Sequence, residues 1–438
     1  MRHIRLKQGF DLPLAGAPEQ RICDGPAIRR VALLGPDHPG LRPSLAVAEG
    51  DRVRLGQPLF CDRRDERIRH TAPGAGRVTA IHRGDKRALL AVEIELGGEE
   101  EEDFVAYPDA ELDRLGHAQV VENLLASGLW TALRTRPFGK TPLPDQVPDA
   151  LFVTAIDTQP LAADPRLIIA ERPDDFRNGL RVLRHLTDGP LYLCLGPGPE
   201  PAVPHGIERV QFNGPHPAGL PGTHIHRLVP ITSGRVVWHL GYQDLLAIGC
   251  LFTSGRLNPV RVIALTGPGI TRPRLVRTRL GASCADLLRN ENVAADQRVI
   301  AGSVLHGRPA EGPLAFLGRF HLQVCALPRS SGSRPRLSLL NPLRAWLPQK
   351  KTYNLDSQGH GTAQAIFPDG RYERVMPFDL MLPYLLRALA CGDVEEARAL
   401  GCLELEEEDL ALCSFVCPGK NDFGPMLRAV LEEIEKEG

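Results

Sequence analysis

The sequence predicts an α/β protein built of several units, and three observations carry that expectation. Short apolar runs separated by glycine and proline turns fill the N-terminal part, strands alternate with helices between Ala150 and Phe252, and the C-terminal part reads as helices. At 438 residues the chain is long enough for roughly three or four domains. The expected units are a β unit over 1–105, an α/β unit over 106–258, a strand-led unit with its following loop over 259–371, and a helical unit over 372–438.

Composition narrows the function classes. With 52 basic and 53 acidic residues the net charge is −1, which argues against a nucleic-acid partner held by long-range attraction. No stretch approaches the ~18 uninterrupted apolar residues of a spanning helix. The segment Met1 to Lys7 alternates basic and apolar residues and lacks the apolar core of a signal peptide. A cytoplasmic protein follows, with any membrane attachment made through partners. Cys23, Cys61, Cys194, Cys250, Cys284 and Cys325 stand singly among apolar neighbours, the pattern of small buried hydrophobes.

In the first unit, Val31 to Leu34 is a short apolar strand followed by the turn-rich Gly35-Pro36-Asp37-His38-Pro39-Gly40. Gly50-Asp51-Arg52-Val53-Arg54-Leu55-Gly56-Gln57-Pro58-Leu59 and, further on, Ala72-Pro73-Gly74-Ala75-Gly76-Arg77-Val78 then form two matching halves. This pair resembles the barrel-sandwich fold of lipoyl and biotinyl domains. A carrier domain of that kind needs a lysine between its halves; residues 61–71 contain none, and Lys86 sits on a later turn. A structural and docking module is expected. The acidic run Glu99 to Asp103 reads as a solvated linker.

The second unit opens with a helix from about Asp113, ended by Gly128. Ser127-Gly128-Leu129-Trp130-Thr131-Ala132-Leu133-Arg134-Thr135-Arg136-Pro137-Phe138-Gly139-Lys140 follows. A phosphate-cradling loop in that place would need glycines so that N–H groups reach the anion. Trp130, Leu133, Arg134, Arg136 and Phe138 stand there instead. The bland reading is an apolar interdomain turn with two solvated arginines. Strands at Ala150–Ala155, Leu191–Leu195 and 207–212, with helices at 173–186 and 242–252, make the unit Rossmann-like in plan. Neither Ala155 to Pro160 nor Gly196-Pro197-Gly198-Pro199 matches a dinucleotide loop, since proline removes N–H donors. His216, His224 and His226 are candidate zinc ligands without a fourth partner nearby, or members of a histidine-lined loop.

The third unit runs from the strand Arg261 to Thr266 through Gly267-Pro268, Pro273 to Ala282 and a short helix Cys284 to Leu288, an order that resembles a ligand-binding-type β-grasp domain. Residues 330–349 read as a polar loop. In the last unit, helices at about 380–390 and from 393 precede Cys413-Ser414-Phe415-Val416-Cys417-Pro418, the final half of a bacterial ferredoxin run. Glu406, Glu407 and Leu410 fill the space where further cysteines would stand, and Cys391 and Cys402 have the wrong spacing. A vestige with a helix-packing role is expected.

The run Gly128 to Phe138, with Lys7 to Gly16 and the order of units, is similar to the NqrA family, peripheral components of the Na+-translocating NADH:quinone reductase (Na+-NQR). That family is in turn similar to the flavin-carrying component of respiratory complex I and to the RnfC component of the Rnf complex. The resemblance implies a peripheral protein on the cytoplasmic side of the bacterial inner membrane. Its complex oxidises NADH, reduces ubiquinone and exports sodium ions. It further implies that this chain binds no cofactor or metal and has no catalytic residue. NAD(H), flavins and iron–sulfur centres would belong to other subunits, and the partners would be the membrane subunits. Quinone contact is expected at two stretches, through Leu34, His38 and Leu41 and through Trp130, Arg134, Arg136, Phe138 and Lys140, which combine apolar surface with hydrogen-bond donors. The competing readings are that both stretches only dock onto the membrane subunits, or that the chain is a stand-alone flavin or iron–sulfur oxidoreductase related to RnfC.

Overall fold

The computed structural model describes residues 1–232, 234–294, 296–328 and 365–437. The loop expected at 330–349 lies outside them.

Two small sheets form the N-terminal part. One orders the strands 30–34, 89–96, 76–83 and 52–53; the other orders 43–45, 58–62 and 65–71. Alternate residues of a strand face opposite ways, and Val31, Val53, Leu59, Val78, Val92 and Ile94 turn into one core, which Phe60 joins where the strand register shifts between Pro58 and Phe60. At the hairpin tip, where a carrier domain holds its lysine, Arg64 is tied back to Asp62 at 2.7 Å.

The centre of the molecule is a six-stranded sheet. Its strands are β1 (Arg2–Arg5), β2 (Arg134–Arg136), β3 (Ala150–Ala155), β4 (Leu191–Leu195), β5 (Glu208–Asn213) and β6 (Val237–Gly241). Their spatial order is β1-β5-β4-β3-β6-β2, and all are parallel to their neighbours except β2, which is antiparallel to β6. Leu151, Val153 and Ala155 of β3 enter the core on one face, while Ala150 and Phe152 enter that on the other. Burial on both faces explains why these strands read as unbroken apolar runs. The helices around it include α1 (His117–Ser127), α2 (Pro173–Leu183), α3 (Pro221–Leu228) and α4 (Tyr242–Ser254), besides the short helix Pro165–Glu171. The helix expected at 173–186 ends at Leu183 and tightens into a 3-10 turn over Arg184–Leu186. Because β3, β4 and β5 step one way while β6 lies on the other side of β3, the sheet has its switch point between β3 and β6.

The other six-stranded sheet orders the strands 308–309, 297–301, 323–328, 260–266, 274–279 and 19–24. Strand 19–24 and β1 thus precede the small sheets in sequence yet belong to the large ones. Both are mostly exposed, so hydrophobic periodicity gives no sign of them. Of the six lone cysteines, Cys194, Cys284 and Cys325 are buried as expected, whereas Cys23, Cys61 and Cys250 keep partial exposure.

The C-terminal unit has its own core, including Tyr372, Leu382, Leu386, Leu412, Cys413, Cys417, Phe423 and Leu431. It includes the helices Leu382–Cys391 and Ala411–Val416 and a final helix, α5 (Phe423–Glu437). Phe10, Leu12 and Phe138 pack against it from the rest of the chain.

Candidate functional site at the three-unit junction

The segment after α1 is where the units meet. Gly128 ends the helix in the left-handed conformation, at φ 78°, and starts a 3-10 turn over Leu129–Ala132. Trp130, in that turn, has no exposed surface. Its indole N–H donates to the Pro142 carbonyl at 2.9 Å, and its ring meets Trp238 edge-on at 5.4 Å. Trp130→Phe removes that hydrogen bond and part of the ring; urea unfolding should read a loss of about 1–2 kcal/mol. An unchanged midpoint would mean that the pair does not hold the turn.

β2 then lies on β6 with Arg134 opposite His239 and Arg136 opposite Val237. The two arginines are not a solvated pair. Arg136 is fully buried, paired with Glu406 and, at 3.1 Å, with Asp409; Arg134 reaches Glu406 at 2.5 Å. His239 Nε2 stands 3.7 Å from the same Glu406. Burial raises the Asp409 carboxyl to about 7 in spite of Arg136. Burial, then Arg136, holds His239 well below the usual imidazole range. Further along, the Phe138 carbonyl accepts from Arg428, and Lys140 pairs with Glu435 of α5. The whole stretch is therefore fastened to the C-terminal unit.

Two cavities flank this junction. The larger, about 150 Å³, opens at the carboxyl ends of β3 and β6 and is lined in part by Arg134, Asp157, His239, Tyr242, His306 and Glu408. Arg134 also lies over the Phe320 ring, 4.9 Å from its centre. Burial, with Glu408 adding to it, raises Asp157 to about 7. The smaller cavity, about 40 Å³, is bordered by Leu33, His38, His70, Ser127 and Arg319. His38 meets His70 edge-on at 4.4 Å, and burial reinforced by Arg319 lowers it to about 3, so its ring is neutral. Arg261 and Arg319 border both cavities and share the Asp244 carboxylate at 2.6 and 2.7 Å.

Of the residues singled out in the sequence, Arg134 thus reaches the larger cavity and His38 the smaller. Leu34 is buried beside Ala91 and Phe316, and Leu41 packs on the N-terminal β core. Trp130 and Arg136 are internal, and Phe138 and Lys140 face the C-terminal unit. The three histidines have separate partners: His216 bonds Thr158 at 3.2 Å, His224 the Ala218 carbonyl at 2.9 Å, and His226 Glu404 at 2.8 Å. His224 and His226 lie on α3, where a loop was expected; Pro221 in its first turn was the available signal. Among the described residues, no group of three or more His, Cys, Asp or Glu is disposed to hold a metal ion. Sequence reasoning missed Glu406 and Asp409 as the partners of the arginines. They have the i, i+3 spacing of a capping box, and the Asp409 carboxylate accepts from the Glu406 backbone N–H at 2.9 Å.

Family models match the chain in three places. Residues 4–97 match the NqrA N-terminal barrel-sandwich hybrid domain, 115–257 the NqrA second alpha/beta domain, and 262–312 the NQRA C-terminal domain. The NqrA protein of the Na(+)-translocating NADH-quinone reductase from Pseudomonas aeruginosa is 51% identical over 448 residues, covering 99% of this chain and 100% of that protein. The chain belongs to the NqrA family. The counterparts from Serratia proteamaculans and Yersinia pestis bv. Antiqua are 50% and 48% identical, each again over 99% of this chain and 100% of theirs. Among solved structures, an NAD+-reducing [NiFe]-hydrogenase in the air-oxidized state aligns at 12% identity with a TM-score of 0.36, covering 75% of this chain and 68% of that one. Within the NqrA family frame, the two small sheets lie in the barrel-sandwich hybrid domain and the strands β2–β6 in the second alpha/beta domain.

Proposed function

We propose that this chain is the peripheral, cytoplasm-facing member of a membrane complex that passes electrons from NADH to ubiquinone and exports sodium ions. The full-length identity of about half to relatives named as components of that reductase carries the reading. No helix among the described residues is long and apolar enough to cross a membrane. In this reading the chain docks on the membrane subunits, while NADH, flavins and iron–sulfur centres are handled elsewhere in the complex. Its second unit is Rossmann-like and its third a β-grasp.

Quinone contact is part of the same proposal, at the cavity that Arg134 lines and the neighbouring one that His38 lines. A neutral imidazole and an arginine over an aromatic ring suit a carbonyl-bearing ring between apolar walls. Trp130 and Arg136 then hold the wall from behind. The test is a photoreactive ubiquinone applied to the assembled complex during turnover. Label on peptides carrying His38 or Arg134 is the expected outcome; label confined to other subunits removes quinone contact from this chain. Recovery of the chain free of membrane subunits after gentle affinity purification would overturn the docking role.

A further inference from the structure

The eight-residue helix α3 begins directly beneath the C-terminal unit. The N–H groups of a helix's first turn lack intrahelical partners and favour negative charge at that end. The group at this end of α3 is a carboxylate: a Cβ on Gly222 would collide with both oxygens of Asp409. Arg136, fully buried, reaches the same carboxylate, and Arg134 stands beside it on the Glu406 carboxylate. The fit is imperfect. Asp409 Oδ1 and the Nε atoms of Arg134 and Arg136 are buried without a hydrogen-bond partner.

A guanidinium fork, a second guanidinium and a helix amino end are the components of an oxyanion site. All three come from the α/β unit, and both carboxylates arrive from the C-terminal unit. We propose that the α/β unit carries a binding site for a free oxyanion of the phosphate class, which the C-terminal unit occupies with its own Glu406 and Asp409. In the closed chain these carboxylates are tethered, so their effective concentration is high and a free anion enters only by displacing them. Without them, Arg136 is a buried cation facing a helix amino end, a state that recruits a counter-ion. The site shares Arg134 with the larger cavity, but phosphate binding is read without quinone, so the two readings fail separately.

The test uses the full chain carrying E406Q and D409N, titrated with inorganic phosphate against chloride at matched ionic strength. Saturable binding about tenfold or more tighter than in the unaltered chain is expected, and it should vanish when Arg136→Met is added. A folded E406Q/D409N chain that binds no phosphate, or binding that survives Arg136→Met, overturns the proposal. If that variant does not fold, hydrogen exchange of the unaltered chain decides. Phosphate should then speed exchange across α5, as the C-terminal unit loosens; exchange indifferent to phosphate overturns the proposal as well.

Discussion

Arg136→Met is expected to cost the fold about 3–5 kcal/mol, because it strands the buried Asp409 carboxylate and leaves Glu406 to Arg134 alone. Arg136 has no exposed surface, and Glu406 and Asp409 are 0% and 2% exposed, so water cannot take over its role. Burial depresses Arg136 to about 10 even with Asp409 beside it, so the site is unfavourable for a charge without its partners. The effect is therefore one of mutual dependence rather than of a strong bond. In a chain that already carries E406Q and D409N, the same Arg136→Met change should be nearly neutral or stabilising, since it then removes an unpaired cation. Urea unfolding of the two backgrounds checks both signs. Equal costs in the two backgrounds would show that Arg136 acts through packing of its stem alone.

Acid is expected to destabilise the chain already between pH 7.5 and pH 5, through its buried histidines. His38, His216 and His321 are lowered by burial to about 3 and His224 to about 4, while burial also lowers His70, His239 and His306. Below the ordinary value of 6.5 the unfolded chain binds protons that the folded chain refuses, so stability falls as pH drops. At pH 5 each of the first four withdraws about 2 kcal/mol. Asp157 and Asp409 run the other way. Burial raises both to about 7, so the folded chain holds protons that the unfolded one releases, and each returns about 2 kcal/mol between pH 7 and 5. Seven imidazoles outweigh two carboxyls, and urea unfolding at pH 7.5 and pH 5 should show a net loss of several kcal/mol. Stability that is flat or rising toward pH 5 would mean that these rings reach water in solution.

Much of the architecture was legible because it is written in periodicity. The strands Ala150–Ala155 and Leu191–Leu195 fall on the residues expected from their apolar runs. What failed to show was polar or non-local. β1 exposes three of its four residues, so nothing local marks it as a strand; only its pairing with Val210 to Asn213 does. The buried arginines escape a local reading for a similar reason. Arg134 and Arg136 alternate with Thr135 like an exposed strand edge, and their carboxylate partners lie about 270 positions away. A charged residue is buried only with its partner, and one sequence shows the partners without showing that they meet. Cys413 and Cys417 were visible as a pair, and the acids just before them are the ones that close over Arg136.

The threading of the first strands also bears on how the chain comes off the ribosome. β1 has no neighbour until residues 210–213 exist, and strand 19–24 none until 274–277 do. The small barrel-sandwich, whose strands all lie within residues 30–96, is able to close while both tails wait unpaired. A nascent chain arrested before residue 200 should therefore hold a protease-resistant N-terminal sandwich preceded by a leader that is still cleavable, and resistance of the leader should appear only after β5 has emerged.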